Sequence, residues 1–404
     1  MKRMDNYSWL AAALMIWAMW VFGGYVRGWT QSPLLAGGVV LWCLNVRGWI
    51  IQRPRGVELL QAVFCVGFLG VLCAQWVDWW GVVERYGTDY VITADRGLSP
   101  FCVVRREHFE MFAWFVPGLG LLMMRVDEAD CRRINRALVW SGVLLAVFGL
   151  MSLWLSPGEM YFSMPVRKRY FASFPYENTA GSFFILMLGL IARGGRSSVG
   201  LGAVSHVLAI ALCAVAVVLS GCRFMTGALI LIGVLIVARR IGARPESRVW
   251  VLVAVLGLVW FGRDIIARGF ELRINEWIGQ LRMARAFPLW GVGGWGGKYL
   301  LGLFSDDPLL PLKTAGTHND YLVFLVEFGI IGSACLWGGI LCAGVGARWQ
   351  FWPGVVMCLV MLHGFVDMPF RSPAVFYLWI WLLKNQEKGG MKIGICSDCS
   401  DCSD

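Results

Sequence analysis

The chain has 404 residues, of which 58% are hydrophobic and only 15% are charged, and its mean hydropathy is +0.64. This composition excludes a soluble globular domain, because a chain of this length has too little interior to bury so much apolar surface. The formal net charge of +10 does not indicate a nucleic-acid-binding protein, since the basic residues are dispersed between apolar runs rather than gathered into one stripe. The sequence therefore predicts an integral membrane protein.

Apolar runs near the length needed to cross about 30 Å of hydrocarbon recur from one end of the chain to the other. Clusters of Arg, Lys, Gly or Pro bound each run. These runs predict an all-α polytopic membrane protein with about twelve transmembrane helices. In chain order the expected spans are Trp9–Val26, Pro33–Ile51, Val57–Val77, His108–Met124, Ala137–Leu155, Thr179–Ala192, Gly200–Leu219, Phe224–Ala238, Val249–Ile266, His318–Gly346, Phe351–Phe365 and Pro373–Leu383.

Arginine is concentrated in alternate loops, which predicts the orientation of the chain. The positive-inside rule assigns these loops to the cytoplasm and places both termini there. The first apolar stretch is expected to be a retained span rather than a signal peptide, because no small-residue cleavage site follows it. Three longer loops lie on the opposite face, and the last, which precedes the tenth span, is expected to be partly helical: Asp78–Glu107, Ser156–Asn178 and Ala267–Thr317.

The cysteines and histidines do not predict a metal site. The C-terminal string CSDCSDCSD places Cys396, Cys399 and Cys402 at CxxC spacing, which suits either zinc binding or an unstructured repeat. The repeat is favoured, because no histidine or second cysteine cluster is near. No paired-carboxylate motif accompanies the histidines, which are scattered along the chain: His108, His206, His318 and His363. We expect no metal and no cofactor.

His318 lies where the longest outer loop enters a predicted span, in the string THNDYLVFLVEFGIIG. An imidazole there can accept a proton near neutral pH, so His318 is a candidate general base. A structural interpretation is also open, in which His318 is a polar residue at a helix entry, Thr317 or Asn319 is the cap, and the following glycines allow close packing. Glu327 lies within the span and is expected to be a structural hydrogen-bonding residue.

The residues that begin with His318 resemble the signature of a known family. His318 and Asn319, nine residues, then Gly329, two residues and Gly332 are similar to the H-[N/S/Q]-x9-GxxG signature of the O-antigen ligases. Upstream, RINEWIGQLRMARAFPLWGVGGWG and LSGCRFMTGALILI resemble two further stretches of that family. Together these two stretches supply Arg223, Arg273, Trp277, Pro288, Gly291 and Gly293. The resemblance covers roughly residues 161–383.

The sequence predicts three parts of the chain, and the second of them carries the resemblance. Residues 1–155 form the N-terminal transmembrane helices, and residues 156–383 form an O-antigen ligase-like catalytic membrane region that includes the outer loop 267–317. Residues 384–404 form a cytoplasmic Cys-rich tail, which is expected to be unstructured.

The resemblance also implies a glycosyltransferase of the bacterial inner membrane that acts in lipopolysaccharide biosynthesis. It implies transfer of a glycan from a polyprenyl (undecaprenyl) diphosphate donor to an acceptor hydroxyl, on lipid A-core, at the periplasmic face, by a metal-independent inverting mechanism. His318 is then the base, and Arg223 and Arg273 stabilise the diphosphate leaving group. Substrate-binding roles are expected for Asn319, Arg282, Arg169 and Trp277. The expected partners are the donor, the acceptor and the lipid bilayer, but not nucleic acid.

Three alternatives remain open. An O-antigen or exopolysaccharide polymerase would use the same donor with another lipid-linked glycan as acceptor. A protein O-oligosaccharyltransferase shares the signature, but often has a longer soluble C-terminal region. A non-enzymatic transporter is the alternative from another functional class. Such proteins, however, usually show internal symmetry or several charges at mid-membrane.

Overall fold

The computed structural model describes residues 6–21, 23, 31–52, 56–77, 83–86, 89–92, 99–161, 164–165, 170–199, 202–241, 272–307, 318–345, 347–348, 350–385 and 387–388. Outside turns and loops, this part of the chain is helical apart from three short two-stranded pairings. The predicted span Val249–Ile266 and the residues beyond 388 of the Cys-rich tail lie outside the described residues.

Numbered in chain order, the helices of the described residues are α1 (Asn6–Trp20), α2 (Ser32–Gln52), α3 (Val57–Val77), α4 (Arg105–Met123), α5 (Glu128–Leu155), α6 (Glu177–Val199), α7 (Ala203–Leu219), α8 (Arg223–Ile241), α9 (272–286), α10 (Gly296–Phe304), α11 (Asp320–Gly344), α12 (Phe351–Gly364) and α13 (Pro373–Lys384). A 3-10 turn, Pro369–Arg371, precedes α13.

Four stretches are long and apolar enough to cross a membrane by length and composition: Ser32–Ile51, Val57–Val77, Glu128–Leu155 and Asp320–Gly344. Shorter apolar helices accompany them: Ser8–Trp20, Ala203–Leu219, Arg223–Val237, Phe351–Gly364 and Pro373–Lys384. The prediction of a helical membrane protein with several spans is therefore confirmed, whereas the predicted count of about twelve spans is not established.

The strands form antiparallel pairs in loops. β1 (Val83–Tyr86) pairs with β2 (Asp89–Ile92), and β3 (Glu159–Met160) pairs with β4 (Met164–Pro165). Both pairs lie in loops that the sequence assigns to the outer face. The third pair joins β5 (Ala347–Arg348) to β6 (Glu387–Lys388) and so connects the chain after α11 to the chain after α13.

Aromatic side chains pack where α3, α4, α11 and α13 meet. The ring of Phe68 lies edge-on to Phe115 and to Phe328, with centroid distances of 4.8 Å and 5.1 Å. Phe115 also contacts Phe328 at 5.5 Å and Phe376 at 5.6 Å. Helices in a bilayer associate largely through such packing, because lipid tails are as apolar as the side chains. These contacts hold α11 in place against α3 and α4.

Helix α11 is broken at Gly329, whose φ of 62° and ψ of −171° are not helical. Residues 287–295, which we call the inserted loop, supply hydrogen-bond partners on both sides of the break. The N–H of Ile330 donates to the carbonyl of Pro288 at 2.8 Å, and the N–H of Val292 donates to the carbonyl of Val326 at 2.9 Å. Backbone groups freed by a break inside a membrane protein need such partners, since lipid offers none.

The glycines that carry the family resemblance build this junction. Gly291 and Gly293 in the inserted loop have φ values of +74° and +80°, which favour glycine. A Cβ on Gly291 would meet the backbone of residues 326 and 327, and a Cβ on Gly293 would meet Cys102. The structural interpretation from the sequence, in which Gly329 only allows close helix packing, is therefore incomplete, because Gly329 also breaks the helix.

A buried ion pair lies where the inserted loop meets α11. Glu327 and Arg371 are each only 2% exposed, and Glu327 Oε1 lies 2.5 Å from Arg371 Nη2. The same Oε1 accepts a 2.9 Å hydrogen bond from the N–H of Trp295, whose ring lies 4.6 Å from the Arg371 guanidinium carbon. Glu327 is thus a structural hydrogen-bonding residue, as the sequence predicts.

Two side chains from the N-terminal helices also hold the inserted loop. Gln75 of α3 donates through Nε2 to the carbonyls of Trp290 and Glu327, at 2.5 Å and 2.7 Å. His108 of α4 accepts a 2.7 Å hydrogen bond from the N–H of Gly294 at Nδ1, while its Nε2 lies 2.9 Å from the carbonyl of Leu72. Helices α3 and α4 therefore support the loop directly.

Candidate active site

Asp367, which follows α12, is a buried carboxylate that joins three parts of the chain. The Tyr176 hydroxyl lies 3.0 Å from both carboxylate oxygens, and Asn178 donates to the same carboxylate through Nδ2. The carbonyl of Asp367 accepts a 3.3 Å hydrogen bond from the N–H of Asp320. The start of α6, the start of α11 and the end of α12 therefore meet at one end of the helix bundle.

The start of α8 lies at the same end. The Phe224 ring stacks on His363, with centroids 4.8 Å apart and planes inclined by 14°. His363 in turn has its Nδ1 2.9 Å from the hydroxyl of Ser182 on α6. Arg223, the first residue of α8, is exposed beside this stack.

Electrostatics also link the start of α8 to Asp367. The pKa of the Cys222 thiol is raised to about 12, chiefly by burial and in smaller part by the carboxylates of Asp367 and Glu177. The start of α8, where Arg223 is exposed, therefore lies at the same end of the bundle as these two carboxylates.

His318, immediately before α11, is held by α9. Its side chain is 21% exposed, whereas that of Glu276 is fully buried. The Glu276 carboxylate oxygens lie 3.0 Å and 3.3 Å from His318 Nδ1, and one of them accepts a 3.2 Å hydrogen bond from the His318 N–H. The next residue of α9, Trp277, donates through Nε1 to the His318 carbonyl at 3.1 Å.

Opposing effects act on the pKa of His318, and their net result is a rise above the ordinary value. Burial lowers the pKa, because it disfavours the charged imidazolium. The hydrogen bond to Glu276 and the charges of Asp367 and Glu276 raise it, while the charge of Arg273 lowers it. Arg273 and Asp367 therefore lie near enough to His318 to affect its protonation.

A comparison with protein-family models shows which family this region resembles. A family model described as O-Antigen ligase matches residues 208–337, which is less than half of the chain. This region is O-antigen ligase-like. The comparison with curated proteins gave no match. The family assignment points to a glycosyltransferase-like enzyme of polysaccharide assembly in a multi-pass bacterial membrane protein.

The O-antigen ligase-like region contains Arg223, Arg273 and His318, but several residues of the site lie outside it. Asp367 and His363 follow the matched residues, and Tyr176 precedes them. The structure nevertheless brings all of these to one end of the bundle. The site thus draws on chain segments on both sides of the family match.

The structure brings together some of the residues that the sequence predicts for substrate binding and not others. Trp277 and Asn319 lie beside His318, although Asn319 uses its side-chain oxygen to cap α11 through a 3.0 Å bond from the Leu322 N–H. Arg282 instead pairs with Asp306 at 2.6 Å and 3.1 Å, and both side chains are largely exposed. Arg169 lies outside the described residues.

Sequence reasoning missed Glu276. The available signal was helical periodicity, because Arg273, Glu276, Trp277 and Gln280 recur at the spacing of one helix face. In the structure Glu276 and Gln280 are buried, while Arg273 and Trp277 are partly buried. Within the described residues, no group of three or more His, Cys, Asp or Glu side chains is arranged to hold a metal ion.

Proposed function

We propose that the chain transfers a glycan from a polyprenyl (undecaprenyl) diphosphate donor to a hydroxyl of the acceptor, lipid A-core, by a metal-independent inverting displacement. The observation that carries this proposal is the position of His318, a partly exposed imidazole within electrostatic reach of Arg273. The O-antigen ligase-like assignment of residues 208–337 supports the class of reaction.

His318 is the proposed base. The acceptor hydroxyl gives its proton to the imidazole while its oxygen forms a bond to the anomeric carbon of the donor sugar. The bond from that carbon to the diphosphate oxygen breaks, and the electron pair leaves with the lipid diphosphate. One such displacement inverts the anomeric centre. Only the neutral imidazole can perform this step.

Arg223 and Arg273 are the proposed partners of the diphosphate. A guanidinium is permanently charged and pairs with two phosphate oxygens through its planar fork. Arg223 is exposed and Arg273 is only partly buried, which leaves both side chains accessible to a ligand. Charge develops on the leaving diphosphate in the transition state, so two cations there lower the barrier directly.

The proposed site faces the periplasm. The end of α12 and the starts of α6, α8 and α11 meet at the site, while the end of α3 and the start of α4 contact the inserted loop, as an alternating up-and-down arrangement requires. The positive-inside rule assigns that end to the non-cytoplasmic side and places both termini in the cytoplasm. A reporter fused after residue 307 tests the orientation.

A transfer assay tests the chemistry. The full chain in lipid nanodiscs is given a polyprenyl-diphosphate-linked glycan and lipid A-core, and the product is detected by mass spectrometry. We expect His318→Ala, Arg223→Ala and Arg273→Ala each to reduce the rate by about 10²-fold or more. Matched controls outside the site are His206→Ala on α7 and Arg132→Ala on α5, which should transfer glycan normally. Full activity of His318→Ala would refute the assignment.

The acceptor separates a ligase from a polymerase. In a strain without the gene, a ligase defect leaves long lipid-linked polymer unused, whereas a polymerase defect leaves the single-repeat donor unused. We expect the long polymer to accumulate. Accumulation of the single repeat would replace the proposed ligase with a polymerase that uses the same donor.

A further inference from the structure

The pairing of Glu276 with His318 is more specific than a general acidic surrounding. The Glu276 side chain has no exposed surface, and the bonds from the His318 N–H, at 3.2 Å, and from Nδ1, at 3.0 Å, converge on its Oε2 atom. The two residues are 42 positions apart in the chain. Burying a carboxylate is costly unless it is well bonded, so this site is built around the contact.

The contact determines which imidazole nitrogen is basic. An ionised carboxylate only accepts hydrogen bonds, so the nitrogen that faces Glu276 must carry the hydrogen. That nitrogen is Nδ1. In the neutral ring the lone pair that can take a proton is therefore on Nε2, and the 21% exposure of the His318 side chain leaves the ring accessible from the site.

The ring is also restrained from moving. Trp277 bonds the His318 carbonyl, Glu276 bonds the N–H of the same residue, and both come from one turn of α9. On the other side, Asn319 caps α11, so the residue after His318 is held as well. A base must stay within hydrogen-bond reach of the acceptor hydroxyl, and this arrangement meets that need.

We propose that Glu276 is a positioning residue that holds His318 in the Nδ1–H tautomer, directs Nε2 at the acceptor hydroxyl and stabilises the imidazolium formed when that hydroxyl gives up its proton. This inference rests on the proposed glycan transfer for its catalytic part. The acceptor proton moves to Nε2, and the Nδ1 hydrogen stays on the ring, hydrogen-bonded to Glu276. The acceptor oxygen bonds to the anomeric carbon, and the electron pair of the broken sugar–phosphate bond leaves with the diphosphate.

The charged groups around His318 come from two segments besides its own. Helix α9 contributes Glu276 and Arg273, and the turn after α12 contributes Asp367. Of these, Glu276 makes direct hydrogen bonds to the ring. A substitution that removes the charge of Glu276 but keeps its shape therefore isolates the effect of that charge on His318, because Asp367 and Arg273 remain in place.

The test compares the full chain with Glu276→Gln in nanodiscs. Glutamine keeps one acceptor oxygen, so both bonds from His318 can form at the Oε2 position while the charge is lost. Nitrogen-15 NMR of histidine-labelled protein reports the tautomer and pKa of His318, whose signals are assigned by their loss in His318→Gln. We expect Nδ1–H in the wild type, and in Glu276→Gln a pKa lower by about one unit or more.

The kinetic arm measures transfer against pH. In Glu276→Gln we expect kcat to fall by roughly tenfold to a hundredfold with the donor KM unchanged, and the acid limb of the rate profile to move to lower pH. Glu276→Ala should lower kcat further, because it also removes the hydrogen bonds that hold the imidazole ring. The control is Asn275→Ala, an exposed neighbour on α9, which should match the wild type in both arms.

Each result decides the inference. The Nε2–H tautomer in the wild type, or an unchanged His318 pKa in Glu276→Gln, would overturn it, and so would an unchanged kcat and acid limb. If the wild type transfers no glycan, the proposed function fails, but the NMR arm still establishes whether Glu276 sets the state of the ring. Because the tautomer is measured on the wild type, the inference stays testable even if a variant does not fold.

Discussion

Gly329 packs so closely against Leu289 that a methyl group in place of a hydrogen would overlap the Leu289 carbonyl oxygen. Its φ of 62° with ψ of −171° is also a conformation essentially confined to glycine. We therefore expect Gly329→Ala to displace the inserted loop, to lower the free energy of unfolding by about 1–3 kcal/mol or more, and to reduce transfer strongly. Thermal unfolding in detergent measures the first effect and the nanodisc assay the second.

The control for that substitution is Gly70→Ala on α3, because a Cβ there would meet nothing within 4 Å. Alanine in open space on a helix is expected to leave stability equal or slightly higher. Equal unfolding temperatures for Gly329→Ala and Gly70→Ala would contradict the structural role given to the break in α11.

The buried pair of Glu327 and Arg371 gives a second prediction. Removing one partner leaves the other as an uncompensated buried charge, which typically costs about 3–5 kcal/mol. We expect Glu327→Leu and Arg371→Met each to lower the unfolding temperature markedly, and the double variant to recover part of the loss. A double variant as unstable as the two losses combined would show that the pair is not coupled.

The pH dependence of transfer follows from the pKa of His318. The base must be neutral, and its pKa is raised above 6.5, so the protonated, inactive form persists to higher pH than for an ordinary histidine. We expect kcat/KM to rise through an acid limb centred above that value. A limb centred below 6.5 would mean that burial outweighs the carboxylates.

Arg273 acts on His318 with the opposite sign. A nearby cation disfavours the imidazolium and lowers its pKa, so Arg273→Gln should raise the pKa of His318. Because this variant is expected to be inactive, the pKa is measured by nitrogen-15 NMR rather than by kinetics. Arg282→Gln, farther along α9 and paired with Asp306, is the matched control and should leave the His318 pKa unchanged.

Gln280 offers a test of whether the buried face of α9 serves a ligand. Its side chain is 1% exposed, and neither amide atom has a hydrogen-bond partner in the part of the chain that the structure describes. An unsatisfied buried amide costs about 1–3 kcal/mol, so Gln280→Leu should unfold at a higher temperature. A stable variant with an increased donor KM would indicate that the amide contacts substrate, whereas unchanged kinetics would exclude such contact.

Much of the helical architecture was predictable from apolar runs. Helix α3 has the predicted bounds, Val57–Val77, because polar residues flank a continuous apolar stretch. Helix α5 begins earlier than predicted, at Glu128 rather than Ala137, because its first turns are charged and hydropathy overlooks them. Its start is marked instead by Asp127, which accepts a 2.8 Å bond from the N–H of Asp130.

The break in α11 and the contacts of the site were not predictable in the same way. Hydropathy treats residues 318–346 as one run and cannot reveal that a distant loop enters the helix at Gly329. The family resemblance led to His318, Arg223 and Arg273, whose roles stay predictions. Glu276 was missed because its partner lies 42 residues away, and a single glutamate beside a tryptophan in a helix is common.

The support that Gln75 and His108 give to the inserted loop affects how this protein can be divided or recombined. Both residues lie in the first 155 residues, in helices that resemble generic membrane spans, yet they bond the loop that fills the break in α11. A chimera that joined the first five helices of an unrelated membrane protein to residues 156–383 would lose both anchors. Functional exchange between relatives should therefore require α3 and α4 to be transferred together with residues 156–383.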